Sequence, residues 1–407
     1  MLRINADRLH RRLDELAQIG ALEGSGVRRL AFTDADRAGR DYVAAWMRDL
    51  GLTIHIDALG NIVGLREGAT DGPAVWIGSH TDSVGRAGRF DGALGVLAAL
   101  EALQTLEDAG LTTRRPVGVA SFVNEEGNRF APGMMGSTYV ADMMSLEEAR
   151  DAAGTDGARL GDELDRTGMA GPDDLRALPI HAFVELHIEQ GPILEDEGTT
   201  IGVVESVQGI TWHQFTLHGE SNHAGVTPMD ARRDAGYVAA TLAVHVRQLG
   251  DTIEQQRATV GAMTVEPGFT NIIPDEAMLR VDLRNPDAER LDAARQRLLD
   301  AAETAAAAEH VTLEHEQLSW IDPVQFDAEV VGAVEQAARD LGYSQRRMVS
   351  GAGHDAQQMA AVAPSAMIFV PSVGGISHNP DEFTRPDDVE AGANVLLHTL
   401  LQLAETA

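Results

Sequence analysis

Five side chains with imidazole or carboxylate donors stand where short apolar runs end. They are His80 in Gly78-Ser-His-Thr-Asp82, Asp91 in Arg89-Phe-Asp-Gly92, Glu126 in Asn124-Glu-Glu-Gly127, His187 in Glu185-Leu-His-Ile-Glu189 and His378 in Gly374-Gly-Ile-Ser-His-Asn379. Imidazole and carboxylate without thiolate is the donor set of a hydrolytic metal centre, not of a structural zinc knot. If the five converge, one carboxylate can bridge two cations, each with three protein ligands and room left for water. The expectation is a metallohydrolase. Asp82, two residues after His80, is placed as the partner that orients that imidazole and fixes its tautomer. Glu125 and Glu126 are neighbours and cannot project the same way from extended backbone. One can bind metal while the other faces the substrate as general base, because paired carboxylates take different roles in different environments.

The elements around these residues support one shared site. Val75–Ile77, Val117–Val123, Phe183–Ile188 and Met367–Val370 read as buried strands, each ending at or near a candidate ligand. In open α/β sheets, ligands bind beyond the carboxyl ends of the strands. Residues 6–50 read as helices, with Leu9, Leu13, Leu16 and Ile19 at helical spacing, and short strands follow at 53–56 and 61–64. Asp91 precedes a strongly apolar helix, for which it would serve as N-cap. Residues 145–180 look helical and loop-rich. Along 182–189, Val184, Leu186 and Ile188 alternate with Glu185, His187 and Glu189.

After residue 200 the pattern changes. Strands at 201–207 and 211–217, a helix near 230–249, strands near 258–266 and 276–284, a helix at 287–308 and a strand from 311 follow the split βαβ order. From 322 the chain returns to helix, then the strand Ala366–Val370, a glycine loop carrying His378 and a final helix. The expected architecture is an α/β catalytic domain with a central mixed sheet, residues 1–206 and 322–407. A smaller α+β, ferredoxin-like domain at 207–321 interrupts it.

Composition narrows the classes. A chain of 407 residues with 44% hydrophobic side chains has material for two packed domains. A net charge of -31 argues against nucleic acid, whose phosphates need a basic face; solvated acidic helices account for it. The sequence contains no lysine, so all 32 basic residues are arginine and lysine Schiff-base chemistry is excluded. The absence of cysteine excludes disulfides, thiolate ligands and a cysteine nucleophile. The first residues lack the apolar core of a secretory signal and no run matches a membrane span, which makes a cytoplasmic protein the expectation.

Taken in order, several segments carry a resemblance. They are His80-Thr-Asp-Ser-Val, Phe90-Asp-Gly, Asn124-Glu-Glu-Gly-Asn-Arg-Phe, Phe183-Val-Glu-Leu-His-Ile-Glu-Gln-Gly-Pro, Ser221-Asn-His-Ala-Gly-Val-Thr-Pro-Met, Ser350-Gly-Ala-Gly-His-Asp-Ala and Ile376-Ser-His-Asn-Pro. Together they resemble the N-carbamoyl-L-amino-acid hydrolase and allantoate amidohydrolase branch of the dinuclear aminoacylase/carboxypeptidase-like metallohydrolases, over nearly the whole chain. The resemblance implies two divalent cations, zinc first and manganese, cobalt or nickel as alternatives. Asp91 would bridge them, His80 and His187 would complete one site, and Glu126 and His378 the other. Glu125 would be the general base. His187 stands where related peptidases usually carry a carboxylate, which favours the carbamoylase branch.

The resemblance also gives the inserted domain a dimerisation and lid role in a homodimer. There His223 would stabilise the tetrahedral intermediate in the partner's site, and Asn271 and Arg284 would hold the substrate carboxylate. Gln190, His354 and Gly375 would lie close to substrate or metals, although His354 could equally cap the helix after it. Met134-Met135 reads as loop packing. The implied reaction is hydrolysis of a ureido group on a small carboxylate-bearing substrate, most simply an N-carbamoyl-L-amino acid. Allantoate, ureidoglycolate or β-ureidopropionate hydrolysis, an aminoacylase or peptidase, and a catalytically dead metal-binding scaffold are the alternatives.

Overall fold

A computed structural model describes residues 1–405 of the chain. The chain divides into two compact units, Met1–Glu205 with Phe326–Ala407, and Ser206–Gln325.

The first unit is built on a mixed sheet. Its strands are β1 (Thr53–Ile56), β2 (Ile62–Arg66), β3 (Ala74–His80), β4 (Val117–Phe122), β5 (Ile180–Ile188) and β6 (Ile201–Val207), joined later in the chain by β12 (Gln345–Ser350) and β13 (Ser365–Val370). The second unit holds β7 (Gly209–His218), β8 (Arg257–Glu266), β9 (Glu276–Asn285) and β10 (Thr312–Ile321), with the two-residue β11 (Val324–Gln325) at its end. In the first sheet the order is β1-β2-β4-β3-β5-β13-β6, and β12 pairs with β6. The central four strands, β4-β3-β5-β13, are mutually parallel, so their carboxyl ends share one edge. β2 and β6 flank them antiparallel.

Parallel strands need helical crossovers, and the apolar helices supply them. Ala93–Asp108 is buried along all of its first eleven residues, as an all-round apolar helix must be. Its one charged interior residue, Glu101, is fully buried and receives Nε and Nη2 of Arg8, each at 2.7 Å. That bidentate geometry is what a buried carboxylate requires. Helix Pro386–Glu405 packs against Ala93–Asp108 and against helix Ala328–Asp340, and both of these later helices lie on β13. The result is a β5 buried on both faces from Ala182 onward, so the alternation at 182–189 separates two interior faces rather than core from solvent.

In the second unit the strand order is β10-β7-β9-β8, antiparallel throughout, with helices Ala235–Thr252 and Ala288–Ala308 in the two crossovers. Phe215, Leu217, Leu242, Val246, Leu279, Leu283, Leu291 and Leu298 form its core. The first of these helices starts at Ala235 rather than near 230, because the Asp234 side chain accepts from Tyr237 N and caps it there. β12 falls in a stretch that the sequence pattern assigned to helix. No helix among the described residues is long and apolar enough to cross a membrane.

Candidate metal centre

The four parallel strands deliver their carboxyl ends to one place. His80 is the last residue of β3 and lies beside Phe122 at the end of β4. His187, one residue from the end of β5, lies beside Phe369 of β13. Beyond β4 the chain reverses at Asn124, whose φ of 51° is left-handed. The Asn124 amide holds that turn by donating to the carbonyls of Phe130 at 2.8 Å and Pro132 at 3.1 Å. The turn sends the two glutamates apart. Glu125 Oε2 lies 3.5 Å from His80 Nε2, and Glu126 Oε2 lies 3.4 Å from His378 Nε2.

Asp91 sits between these pairs. Its Oδ1 is 3.1 Å from His187 Nε2 and 3.7 Å from His80 Nε2, and its Oδ2 is 3.4 Å from His378 Nε2. The structure therefore offers two donor sets that share one carboxylate: His80, Asp91 and His187, and Asp91, Glu126 and His378, the atoms of each within 4.8 Å of one another. Asp91 does not cap the helix that follows it. Gly92 occupies the N-cap position with no side-chain cap bond, because the Asp91 carboxylate is turned toward the imidazoles instead. Gly92 is required there: its φ is 63°, and a Cβ would overlap the His80 ring.

The imidazoles are oriented from behind. His80 Nδ1 lies 3.1 Å from the carbonyl of Asp82, and His187 Nδ1 lies 2.9 Å from that of Ile188. Nδ1–H donation to a carbonyl leaves Nε2 as the donor atom, the arrangement of a metal-ligating histidine. His80 Nε2 is buried without a hydrogen-bond partner. It is Asp82's main chain that orients His80, since its carboxylate stands 3.7 Å away. That carboxylate instead accepts from Glu125 N at 3.2 Å and Glu126 N at 3.3 Å, fixing the loop that carries both glutamates.

Charge makes the strongest case for a cation. Asp82, Asp91, Glu185, Asp355 and Glu382 are all less than a tenth exposed. The Glu125 and Glu126 side chains are 10% and 5% exposed. So many carboxylates cannot be buried together in ionised form without counter-charge. Burial, then the charges of Asp355, Glu126, Asp82 and Asp91, push Glu125 well above the usual carboxylate range. Burial with Asp91 and Asp82 does the same to Glu126. Burial raises Asp91 too, but the hydrogen bonds of His187 and His378 and the charges of His187 and His80 hold it well below that range. Burial draws His80 down to about 4, which keeps its lone pair available. Burial also draws His187 down, but the hydrogen bond and charge of Asp91 and the charge of Glu185 carry it up to about 9. The orphaned Nε2, the clustered carboxylates and the all-N,O donor set fit divalent cations.

Other residues singled out in the sequence fall into two groups. Gln190 reaches the centre from a left-handed φ of 59°, donating to Asp91 Oδ2 at 2.8 Å. Gly375 (φ 64°) lies against Gly191 and Pro192, and its loop continues through Ser377 to His378. His354 makes no side-chain cap bond to the helix it precedes. Its ring packs edge-on 4.5 Å from His187, and its Nε2 meets Ser350 Oγ at 3.0 Å. His223, Asn271 and Arg284 belong to the second unit. There Ala224 N donates to the Asn271 carbonyl at 3.0 Å, and Arg284 presents Nε and Nη2 to Asp282. Glu185 and Glu382 escaped the sequence reading. Glu185 accepts from Ser79 Oγ at 2.6 Å and Ala356 N at 2.8 Å, bracing β3 and the helix after His354. The signal for it was its place on the His187 side of β5.

Comparison with known proteins agrees with this geometry. Residues 76–402 match the model of Peptidase family M20/M25/M40. The N-carbamoyl-L-amino-acid amidohydrolase of Rhizobium meliloti is 42% identical, over 99% of this chain and 97% of that protein. The ureidoglycolate hydrolase of Arabidopsis thaliana is 35% identical, over 99% of this chain and 87% of that protein. The crystal structure of a hydantoinase/carbamoylase family amidase from Burkholderia multivorans superposes with a TM-score of 0.95 at 44% identity, covering 100% of this chain and 99% of that one. With the family match spanning most of the sequence and relatives of this similarity along its full length, the chain belongs to the M20/M25/M40 family of hydrolases.

Proposed function

We propose that this protein hydrolyses the carbamoyl group of N-carbamoyl-L-amino acids, giving the amino acid, ammonia and carbon dioxide. The observation that carries the reading is Glu125. It stands beside the donor cluster, with Oε2 3.5 Å from His80 Nε2, and its loop is gripped by Asp82. A binding protein has no use for a base held there. In this reading His80, Asp91 and His187 hold one divalent cation, and Asp91, Glu126 and His378 a second, with zinc as the first candidate and manganese, cobalt or nickel as alternatives. Such cations polarise a carbonyl oxygen and lower the pKa of bound water to about 7.

The protein's own part is proton handling and positioning. Glu125, kept proton-hungry by burial and neighbouring carboxylates, accepts a proton from the attacking water and returns it to the leaving nitrogen. His223 is assigned to the developing oxyanion, in a homodimer. Asn271 and Arg284 are assigned to the substrate carboxylate, which an arginine fork fits in bidentate fashion. Gln190, Gly375 and His354 line the centre on the substrate side. The expected compartment is the cytoplasm. The match to a ureidoglycolate hydrolase supports a second reading, in which the ureido carbon belongs to allantoate or ureidoglycolate.

A panel of N-carbamoyl-L-amino acids, β-ureidopropionate, allantoate, ureidoglycolate and dipeptides, assayed on metal-loaded protein, tests both. Turnover of the first class at the highest kcat/KM is expected. Preference for allantoate or ureidoglycolate would replace the first reading with the second, and hydrolysis of dipeptides alone would sink both.

A further inference from the structure

Asp91 has a second carboxylate standing behind it. Glu382 is 5% exposed and lies four residues beyond His378. Its Oε1 accepts the backbone N–H of Phe90 at 3.0 Å and of Asp91 itself at 3.1 Å. Its Oε2 accepts the Ser377 hydroxyl at 3.0 Å, and the same Ser377 Oγ lies 3.2 Å from Asp91 Oδ2. One side chain thus holds the peptide of Asp91 directly and shares the single Ser377 hydroxyl proton with its outer oxygen. The chain makes room for it, since a Cβ on Gly88 would collide with Glu382 Cβ and Oε1. The arrangement repeats what Asp82 does for Glu125 and Glu126.

We propose that Glu382 is the positioning residue of the metal centre: it sets Asp91 at the angle that shows one oxygen to His80 and His187 and the other to His378. The inference rests on the reading of Asp91 as the ligand common to both donor sets. A shared carboxylate must satisfy two directions at once, and a rotation about its Cα–Cβ bond that improves one spoils the other. Two N–H bonds to one glutamate oxygen remove the freedom of the Phe90–Asp91 peptide. The Ser377 link ties the carboxylate to the loop that carries His378, so the two halves of the centre move together. Ligand-supporting groups of this kind characteristically govern metal affinity by 10–100-fold.

The test uses the full-length protein, freed of metal and titrated with zinc, with cobalt substitution to report on the spin coupling of two ions sharing a ligand. Glu382→Ala is expected to weaken zinc binding by about 10–100-fold, abolish the coupling and lower kcat with little change in KM. Glu382→Gln retains an acceptor for both N–H groups and should stay within about fivefold of wild type in affinity. Ser377→Ala, which leaves the N–H bonds in place, carries the test if Glu382→Ala does not fold, and should weaken the coupling. Glu382→Ala with wild-type affinity, coupling and kcat would overturn the proposal, and so would equal loss in Glu382→Gln and Glu382→Ala. A defect in wild type itself, with no zinc bound, would overturn the metal reading as a whole, so the two failures are told apart by which protein shows them.

Discussion

Replacing Glu125 by glutamine separates catalysis from stability, because the structure gives the two opposite signs. The amide is isosteric, and the loop keeps its anchors, since the bonds from Glu125 N and Glu126 N to Asp82 are main-chain bonds. Loss of a positioned general base costs about 10²–10⁴ in rate, which at 1.36 kcal/mol per decade is about 3–5 kcal/mol of transition-state stabilisation. Glu125 is not among the five proposed ligands, so zinc affinity should change by less than about tenfold, against the 10–100-fold typical of groups that support a ligand. Stability of the metal-free protein should rise. Burial and the charges of Asp355, Glu126, Asp82 and Asp91 raise Glu125 well above its ordinary range in the folded state. The unfolded chain therefore releases this proton at lower pH than the folded one. Between those two values the folded state binds more protons, so stability falls as pH rises, and the neutral amide removes that loss at pH 7. The assays are steady-state turnover of N-carbamoyl-amino acids, zinc titration and thermal melting of the metal-free protein at pH 5 and 8. Turnover within about fivefold of wild type would refute the assignment of the base. A lower melting temperature at pH 8 would refute the electrostatic reasoning.

Four further outcomes follow from the same geometry. Chelation should abolish turnover and zinc should restore it. Because His187 is held up to about 9, uptake at pH 7 should release a proton from it, and affinity should fall about tenfold per pH unit from that group below that value; calorimetry in buffers of differing ionisation enthalpy measures this. Gly92→Ala forces a Cβ into the His80 ring and should lower zinc affinity at least about 10-fold, read by the same titration. Arg284→Lys removes the planar fork, and should raise KM for carboxylate substrates about tenfold while leaving kcat within about threefold; an unchanged KM would remove Arg284 from the substrate site.

The site was more legible than the joints that hold it. Strand-end placement pointed to His80, Asp91, Glu126, His187 and His378 as candidates, and the structure draws them together, because donor chemistry and the topology of parallel strands are both written in local sequence. The split βαβ order of the second unit was legible for the same reason: alternation and helical spacing change within a few residues. Where expectation and structure differ, a side-chain bond or a strand pairing that periodicity does not show decided the outcome. The helix expected from 230 begins at 235 because a cap at Asp234 outweighs helical spacing upstream. β12 forms because it can pair with β6, from which 137 residues separate it (208–344). Asp91, which looks like an N-cap, gives up that place because three imidazoles compete for its oxygens.

By itself the sequence determined the chemical inventory: no thiol, no lysine, five N,O donors, and a second glutamate beside one of them. Tertiary structure alone decided how that inventory is aimed. Asp82 grips backbone rather than imidazole, Glu382 reaches Asp91 across 291 positions of sequence, and Glu185 turns out to be interior. The physical reason is the same in each case. Residue type sets which bonds a group can make, but burial leaves each carboxylate needing a partner, and only the packed sheet settles which partner lies within hydrogen-bond reach.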